Sequence, residues 1–252
     1  MVAVLTFHSP SAADPAIGPG EVHLWRAGLD YPAATIRRLE KLLTAGEIER
    51  VAAFRFPSDR AHFIAGRGQL RILLGRYVRL PPQAVRLKAG KFGKPELEGS
   101  HLSGITFSVT HAQTLALFAF AMDRRVGVDV ELIRPMDEAE GILRRYFTTK
   151  EQEAYAQAPP GERDCLFLEL WTRREAYLKG IGKGLAGMEG PEHMNLPVPG
   201  CESISFRVDP GHIATLAGEG EIKKVTAWKM PSGWAQAAGQ GRENTPAAAS
   251  RS

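Results

Sequence analysis

The chain has 252 residues, 44% hydrophobic and 24% charged, with a formal net charge of +4 and a pI of about 9.1. That length buries a full core, as one large domain or two small ones packed together, and the composition is that of an ordinary soluble globular protein whose charge suits an acidic partner. Cys165 and Cys201 form no Cys-x-x-Cys pair, no apolar run is long enough to span a membrane, and Val2 to Phe7 lacks the basic start of a signal peptide. A disulfide framework, a zinc site and a membrane anchor are therefore not expected, and the cytoplasm is.

Met1 to Gly20 is rich in Pro, Ala and Gly and reads as an irregular lead-in. Glu21 to Arg26 alternates as a strand, with Val22, Leu24 and Arg26 on one face. Pro32 to Leu43 has Ile36, Leu39 and Leu43 at helical spacing. Thr44-Ala45-Gly46-Glu47 is a capping-box pattern opening a short helix through Ala53. Pro57-Ser58-Asp59 starts a long helix to about Val78, stopped by Leu80-Pro81-Pro82 and unusually rich in arginine: Arg60, Arg67, Arg71 and Arg76, with Arg79 just beyond. Lys88 to Pro95 reads as a glycine- and lysine-rich loop, and strands follow over Ile105 to Val109 and Leu115 to Met122.

The second half repeats this order. After the strand Val126 to Ile133 come a helix around Asp137 to Tyr146, a second capping box at Thr148 to Glu151, a Pro159-Pro160-Gly161 break, and a long helix from about Glu162 to Ile181. The two capping threonines stand 104 positions apart, as do Glu47 and Glu151, and the same offset carries the first long helix onto the second. The expected fold is α+β: a pseudodimer of two similar α+β halves related by a pseudo-two-fold axis. Residues 1–122 form the first half, 123–238 the second, and the Gly-, Ala- and Ser-rich 239–252 a disordered tail. Strands are expected at Ser203 to Val208, His212 to Leu216 and Lys224 to Trp228.

Chemistry concentrates in two stretches. In Val126-Gly127-Val128-Asp129-Val130-Glu131, strand alternation points Asp129 and Glu131 the same way while the valines point into packing. Facing carboxylates repel unless a cation sits between them, and magnesium, which takes one or two carboxylates and fills its shell with water and phosphate, suits such a pair. A half-solvated strand with a chance Asp-x-Glu is the plain alternative. Trp171, Glu175 and Lys179 recur every four residues on one helix face, as a surface ion pair beside a core tryptophan or as a third carboxylate and a phosphate-binding ammonium. Thr110-His111 at a strand end, and Lys91 to Pro95, offer phosphate donors. No P-loop, Gly-x-Ser-x-Gly elbow or zinc-spaced histidine pair is present.

In order, Gly93-Lys94-Pro95, Phe107-Ser108-Val109-Thr110-His111, Gly127-Val128-Asp129-Val130-Glu131 and Trp171-Thr172-Arg173-Arg174-Glu175-Ala176-Tyr177-Leu178-Lys179 with Gly182-Lys183-Gly184-Leu185 resemble the 4'-phosphopantetheinyl transferases. The resemblance is to the larger, surfactin-synthetase-activating type, a single-chain pseudodimer. It implies transfer of the phosphopantetheine arm of coenzyme A to a serine of an apo acyl or peptidyl carrier protein, docked through an acidic helix, with release of adenosine 3',5'-bisphosphate. By the same resemblance Asp129, Glu131 and Glu175 are the magnesium ligands, with manganese as a substitute. Lys179 stabilises or protonates the bridging phosphate oxygen. On chemical grounds Glu175, or a metal-bound water relayed by it, is the nearest base for the serine proton. Thr110 and His111 touch the coenzyme A phosphates, Gly93, Lys94 and Pro95 flank the adenine, and Arg60, His62 and Arg67 hold the 3'-phosphate.

The sequence departs from the family pattern at Ser108 (asparagine is usual), Thr110 (serine) and Arg174 (lysine). Arg174 keeps the charge but cannot surrender a proton, so a general base at that position is excluded. The implied protein is a cytoplasmic monomer that binds neither membrane nor nucleic acid; aromatic interleaving is absent from the arginine-rich helix. A magnesium-dependent phosphoesterase or nuclease, with His111 activating water, uses the same acids and is the alternative.

Overall fold

The computed structural model describes residues 2–11, 15–90, 94–99, 104–181 and 198–236. Gly93, the Gly182 to Leu185 motif and the tail 239–252 lie outside the described residues. The elements run β1 (Glu21–Gly28), α1 (Ala33–Glu40), α2 (Ala45–Ala53), α3 (Pro57–Val78), β2 (Leu87–Ala89), β3 (Pro95–Leu97), β4 (Ile105–Ala112), β5 (Leu115–Met122) and β6 (Val126–Leu132). They continue with α4 (Ala139–Tyr146), α5 (Thr149–Gln157), α6 (Arg163–Ile181), β7 (Cys201–Asp209), β8 (His212–Glu219), β9 (Lys224–Lys229) and the short α7 (Ser232–Gln236).

The fold is mixed α and β, with two sheets back to back and helices on both outer faces. One sheet has the order β4-β5-β1-β9, the other β6-β8-β7. Strand alternation sorts the side chains between layers. Leu115, Leu117, Ala119 and Ala121 of β5 join Val22 and Leu24 of β1, Val126, Val128 and Val130 of β6, and Ala214 and Leu216 of β8 in the core between the sheets. The opposite faces, Phe118 and Phe120 of β5 and Trp25 of β1, pack on Leu70, Leu73 and Leu74 of α3. On the far side, Phe167 and Leu170 of α6 pack with Leu143 of α4, Phe147 and Ile213 of β8.

The same connectivity occurs twice among the described elements. β1 leads through three helices and the inserted β2–β3 hairpin to the β4–β5 hairpin, whose second strand lies antiparallel to β1. β6 leads through three helices to the β7–β8 hairpin, whose second strand lies antiparallel to β6. Both capping boxes form, at Thr44/Glu47 and Thr148/Glu151. Each capping glutamate also receives a buried arginine from the long helix that follows it, Arg71 to Glu47 at 2.8 Å and Arg174 to Glu151 at 3.4 Å.

Three details differ from the sequence reading. The helix expected to reach Leu43 stops at Glu40, because Thr44 must be extended (ψ 165°) to cap α2. The loop from Lys88 to Pro95 is flanked by a short hairpin, Leu87 opposite Leu97 and Ala89 opposite Pro95. The lead-in is irregular but paired: Leu5 N–H donates to Arg207 O of β7, and His8 N–H donates to Ala227 O of β9, so it crosses both sheets. β9 itself lies parallel to β1, so the chain returns to the first sheet after completing the second.

Candidate active site

The site is built where α6 crosses β6, and the crossing is close because Gly127 has no side chain. A Cβ there would lie 1.8 Å from Ala176 O and 2.5 Å from Gly180 N, both backbone atoms of α6. With Val126, Val128 and Val130 committed to the core between the sheets, alternation leaves Gly127, Asp129 and Glu131 facing the helix. The helix answers with Trp171, Glu175 and Lys179. Asp129, Glu131, Trp171, Glu175 and Lys179 line one pocket together with Val109, Thr110, His111 and Val130. The two separated motifs and the end of β4 thus meet, and Glu175 faces the same space as Asp129.

Asp129 (4% exposed) and Glu175 (7%) are buried carboxylates. Asp129 Oδ1 accepts from Lys179 Nζ at 2.6 Å and from Thr110 Oγ1 at 3.0 Å, and Lys179 Nζ also reaches Thr110 Oγ1 at 3.1 Å. Asp129 Oδ2 and Glu175 Oε1 are buried without a partner. Burial, then the Asp129 charge, pushes Glu175 above the usual carboxylate range, with Lys179 opposing. Burial and Asp129 likewise raise Glu131, against the pull of Arg134, Lys179 and a hydrogen bond from Trp171. Burial lowers His111, with Lys179 and His62 adding to it and Asp129 opposing.

Among the described residues no three acids, histidines or cysteines converge closely enough to cage an ion by themselves. The donor set nevertheless fits a hard divalent cation. It consists of carboxylate oxygens, two of them orphaned in a buried pocket, and magnesium needs only one or two such ligands when water and phosphate complete its shell.

The residues beneath explain the rigidity. Ser108 Oγ accepts from Val128 N–H at 3.2 Å, tying β4 to β6 across the two sheets. Thr172, Thr215 and Ser205 form a hydroxyl chain (2.9 and 3.0 Å) that seats α6 on β8, with Thr215 directly opposite Asp129. Arg174, 1% exposed, points away from the acids and sits 4.4 Å over the Phe147 ring.

The remaining predicted residues are arranged differently. Lys94 and Pro95 line a separate cleft with Glu96, Phe107, Arg125 and Gly180. The Lys94 ammonium donates to Lys179 O at 2.7 Å and Val126 O at 3.2 Å. On α3, Arg60 Nε donates to Phe54 O, His62 pairs with Asp30 at 2.8 Å, and Arg67 lies 3.4 Å from Glu47 and over Phe63. Sequence reasoning did not anticipate the adjoining cleft of 520 Å3, which shares Glu131 and Trp171 with the acid pocket and is lined further by Arg134, Met136, Ile142 and Phe167. Its apolar members come from α4, α6 and the segment between β6 and α4, so no single periodicity marks it.

A family profile described as the 4'-phosphopantetheinyl transferase superfamily matches residues 125–227, the span that carries β6 and α6. The 4'-phosphopantetheinyl transferase HetI of Nostoc sp. is 39% identical over 170 residues, covering 67% of this chain and 72% of that protein. A phosphopantetheinyl transferase of Thraustochytrium sp. is 30% identical over 181 residues (66% of this chain, 63% of the relative). The Sfp transferase of Bacillus subtilis is 23% identical over 190 residues (69% and 81%). No described helix is long and apolar enough to cross a membrane. With the motifs on β4, β6 and α6 meeting in one pocket, and a relative this similar over most of its length, the chain belongs to the 4'-phosphopantetheinyl transferases.

Proposed function

We propose that this protein moves the 4'-phosphopantetheine arm of coenzyme A onto a serine of an apo acyl or peptidyl carrier protein, at the pocket between β6 and α6. The observation that carries the reading is the gathering of Asp129, Glu131, Glu175, Lys179, Thr110 and His111 in one pocket. The reaction forms a bond from the serine oxygen to the phosphorus bearing the pantetheine and breaks the bond from that phosphorus to adenosine 3',5'-bisphosphate.

Glu175, with its raised affinity for a proton and an unpartnered oxygen, accepts the serine proton. Lys179, held between Asp129 and Thr110, presents its ammonium to the bridging phosphate oxygen as charge builds there. His111 and the Thr110 hydroxyl orient the phosphates. Asp129, Glu131 and Glu175 would hold magnesium, which when bound draws charge from the attacked phosphorus. The cleft beside Trp171 takes the pantetheine arm. Pro95 flanks the adenine, and Arg60, His62 and Arg67 serve the 3'-phosphate.

The repeated connectivity and the matching capping-box arginines support two halves, residues 1–122 and 123–238, related by a pseudo-two-fold axis, with β9 and α7 crossing back onto the first. The test is incubation with coenzyme A, magnesium and apo carrier proteins, read by intact mass. A carrier heavier by one phosphopantetheine supports the reading. Hydrolysis of nucleotide or DNA with no modified carrier overturns it in favour of a phosphoesterase.

A further inference from the structure

We infer that the Lys94 ammonium positions Lys179, an inference that rests on the transferase reading above. An α-helix leaves its last four carbonyls without helical partners, at the negative end of its dipole. α6 ends at Ile181, and one of those carbonyls, Lys179 O, accepts from Lys94 Nζ at 2.7 Å. The same ammonium donates to Val126 O, the first residue of β6, at 3.2 Å.

One side chain therefore ties together the backbones of the two elements whose side chains form the 2.6 Å Lys179–Asp129 pair. It does so beside Gly127, where the helix and strand lie in backbone contact. Lys94 arrives on the β2–β3 hairpin, outside both elements, so it braces the crossing from a third direction. Burial pushes its ammonium down to about 8, with Glu96 opposing and Arg125 and Lys179 adding to the effect. The charge is thus kept at a cost in this place, and the carbonyls it serves are the return. Lys94 is absent from the lining of the acid pocket.

The test uses the full chain and a double-mutant cycle of Lys94→Met and Lys179→Ala, read as kcat, KM for coenzyme A, and Tm. Wild-type transfer to the carrier establishes the underlying reading first; its absence overturns that reading, and this one with it. Where wild type is active, Lys94→Met lowers kcat by about ten- to a hundred-fold, the scale of an ångström's misplacement, and leaves KM within about two-fold. In the Lys179→Ala background the same change costs less than about two-fold, because its target is already gone. A KM raised about ten-fold or more at unchanged kcat would make Lys94 a cofactor contact and overturn the inference. So would losses that multiply in the double variant, or an unaltered kcat. If Lys94→Met does not fold, Lys94→Gln, which keeps two N–H donors, is read the same way. Failure of both to fold makes the role purely structural and also overturns it.

Discussion

Replacing Gly127 with alanine is the most direct probe of the crossing on which the site depends. The added Cβ would start 1.8 Å from Ala176 O, and real Cβ atoms essentially never approach within 3.0 Å, so helix and strand must separate by at least about 1.2 Å. The atoms it would meet, Ala176 O, Ala176 C and Gly180 N, are all backbone, so no side-chain rotation relieves the contact. Overpacking of this kind costs about 1–3 kcal/mol, which for a chain of this size lowers Tm by about 2–12 °C. The larger effect falls on chemistry. Lys179 reaches Asp129 at 2.6 Å, and a shift of about 1 Å between the elements carrying them is expected to reduce kcat by about a hundred-fold. Arm transfer to an apo carrier by intact mass, with Tm by circular dichroism, measures both. Wild-type rate and wild-type Tm in Gly127→Ala would refute the close crossing and the site geometry built on it.

Asp129→Ala and Glu175→Ala each abolish transfer and leave the circular dichroism spectrum native; full activity in Asp129→Ala would end the metal assignment. Arg174→Ala breaks a buried pair but leaves Glu151 its bonds to Thr148, so it costs about 3 kcal/mol, the low end for such pairs, with kcat per folded molecule retained. A fall in kcat at unchanged Tm would instead put Arg174 in the chemistry. Acid destabilises the fold in two stages. Burial lowers His23 from its usual 6.5, with Glu21 opposing and Lys224 adding, so the unfolded chain binds the extra proton and stability declines as pH falls below that value. Burial raises Glu21, but Lys224, Thr226 and Gly18 outweigh it and hold the carboxyl at about 2, so its contribution is full above 4.5 and is lost toward 2. Tm measured against pH shows both stages, and Glu21→Gln flattens the second; an unchanged slope would sink that account.

Local signals were legible in the chain itself. A capping box is written within four residues, and both formed where Thr44 and Thr148 indicated. α3 runs from Pro57 to Val78 as read, because a proline start and a proline stop act on their own neighbours. Alternation in β6 fixed which side chains face together, and the spacing of Trp171, Glu175 and Lys179 fixed their common helical face. Arg174 could be excluded as a base from its residue type alone.

What the sequence left undetermined depends on partners distant along the chain. The lead-in carries no strand pattern because its register comes from β7 and β9, some 200 residues later. Lys94 looked like a ligand-binding lysine because its composition is that of a phosphate loop; its two acceptors belong to β6 and α6. Arg67 and Arg60, read as candidates for the 3'-phosphate, also contact Glu47 and Phe54 O, partners that their spacing does not reveal. Residue type and short-range spacing decided which groups could do chemistry, since those follow from bond geometry within a strand or a turn of helix. Which of them meet was decided by packing: the glycine gap at Gly127 sets how near α6 comes to β6, and that distance, a property of two segments together, is written in neither one.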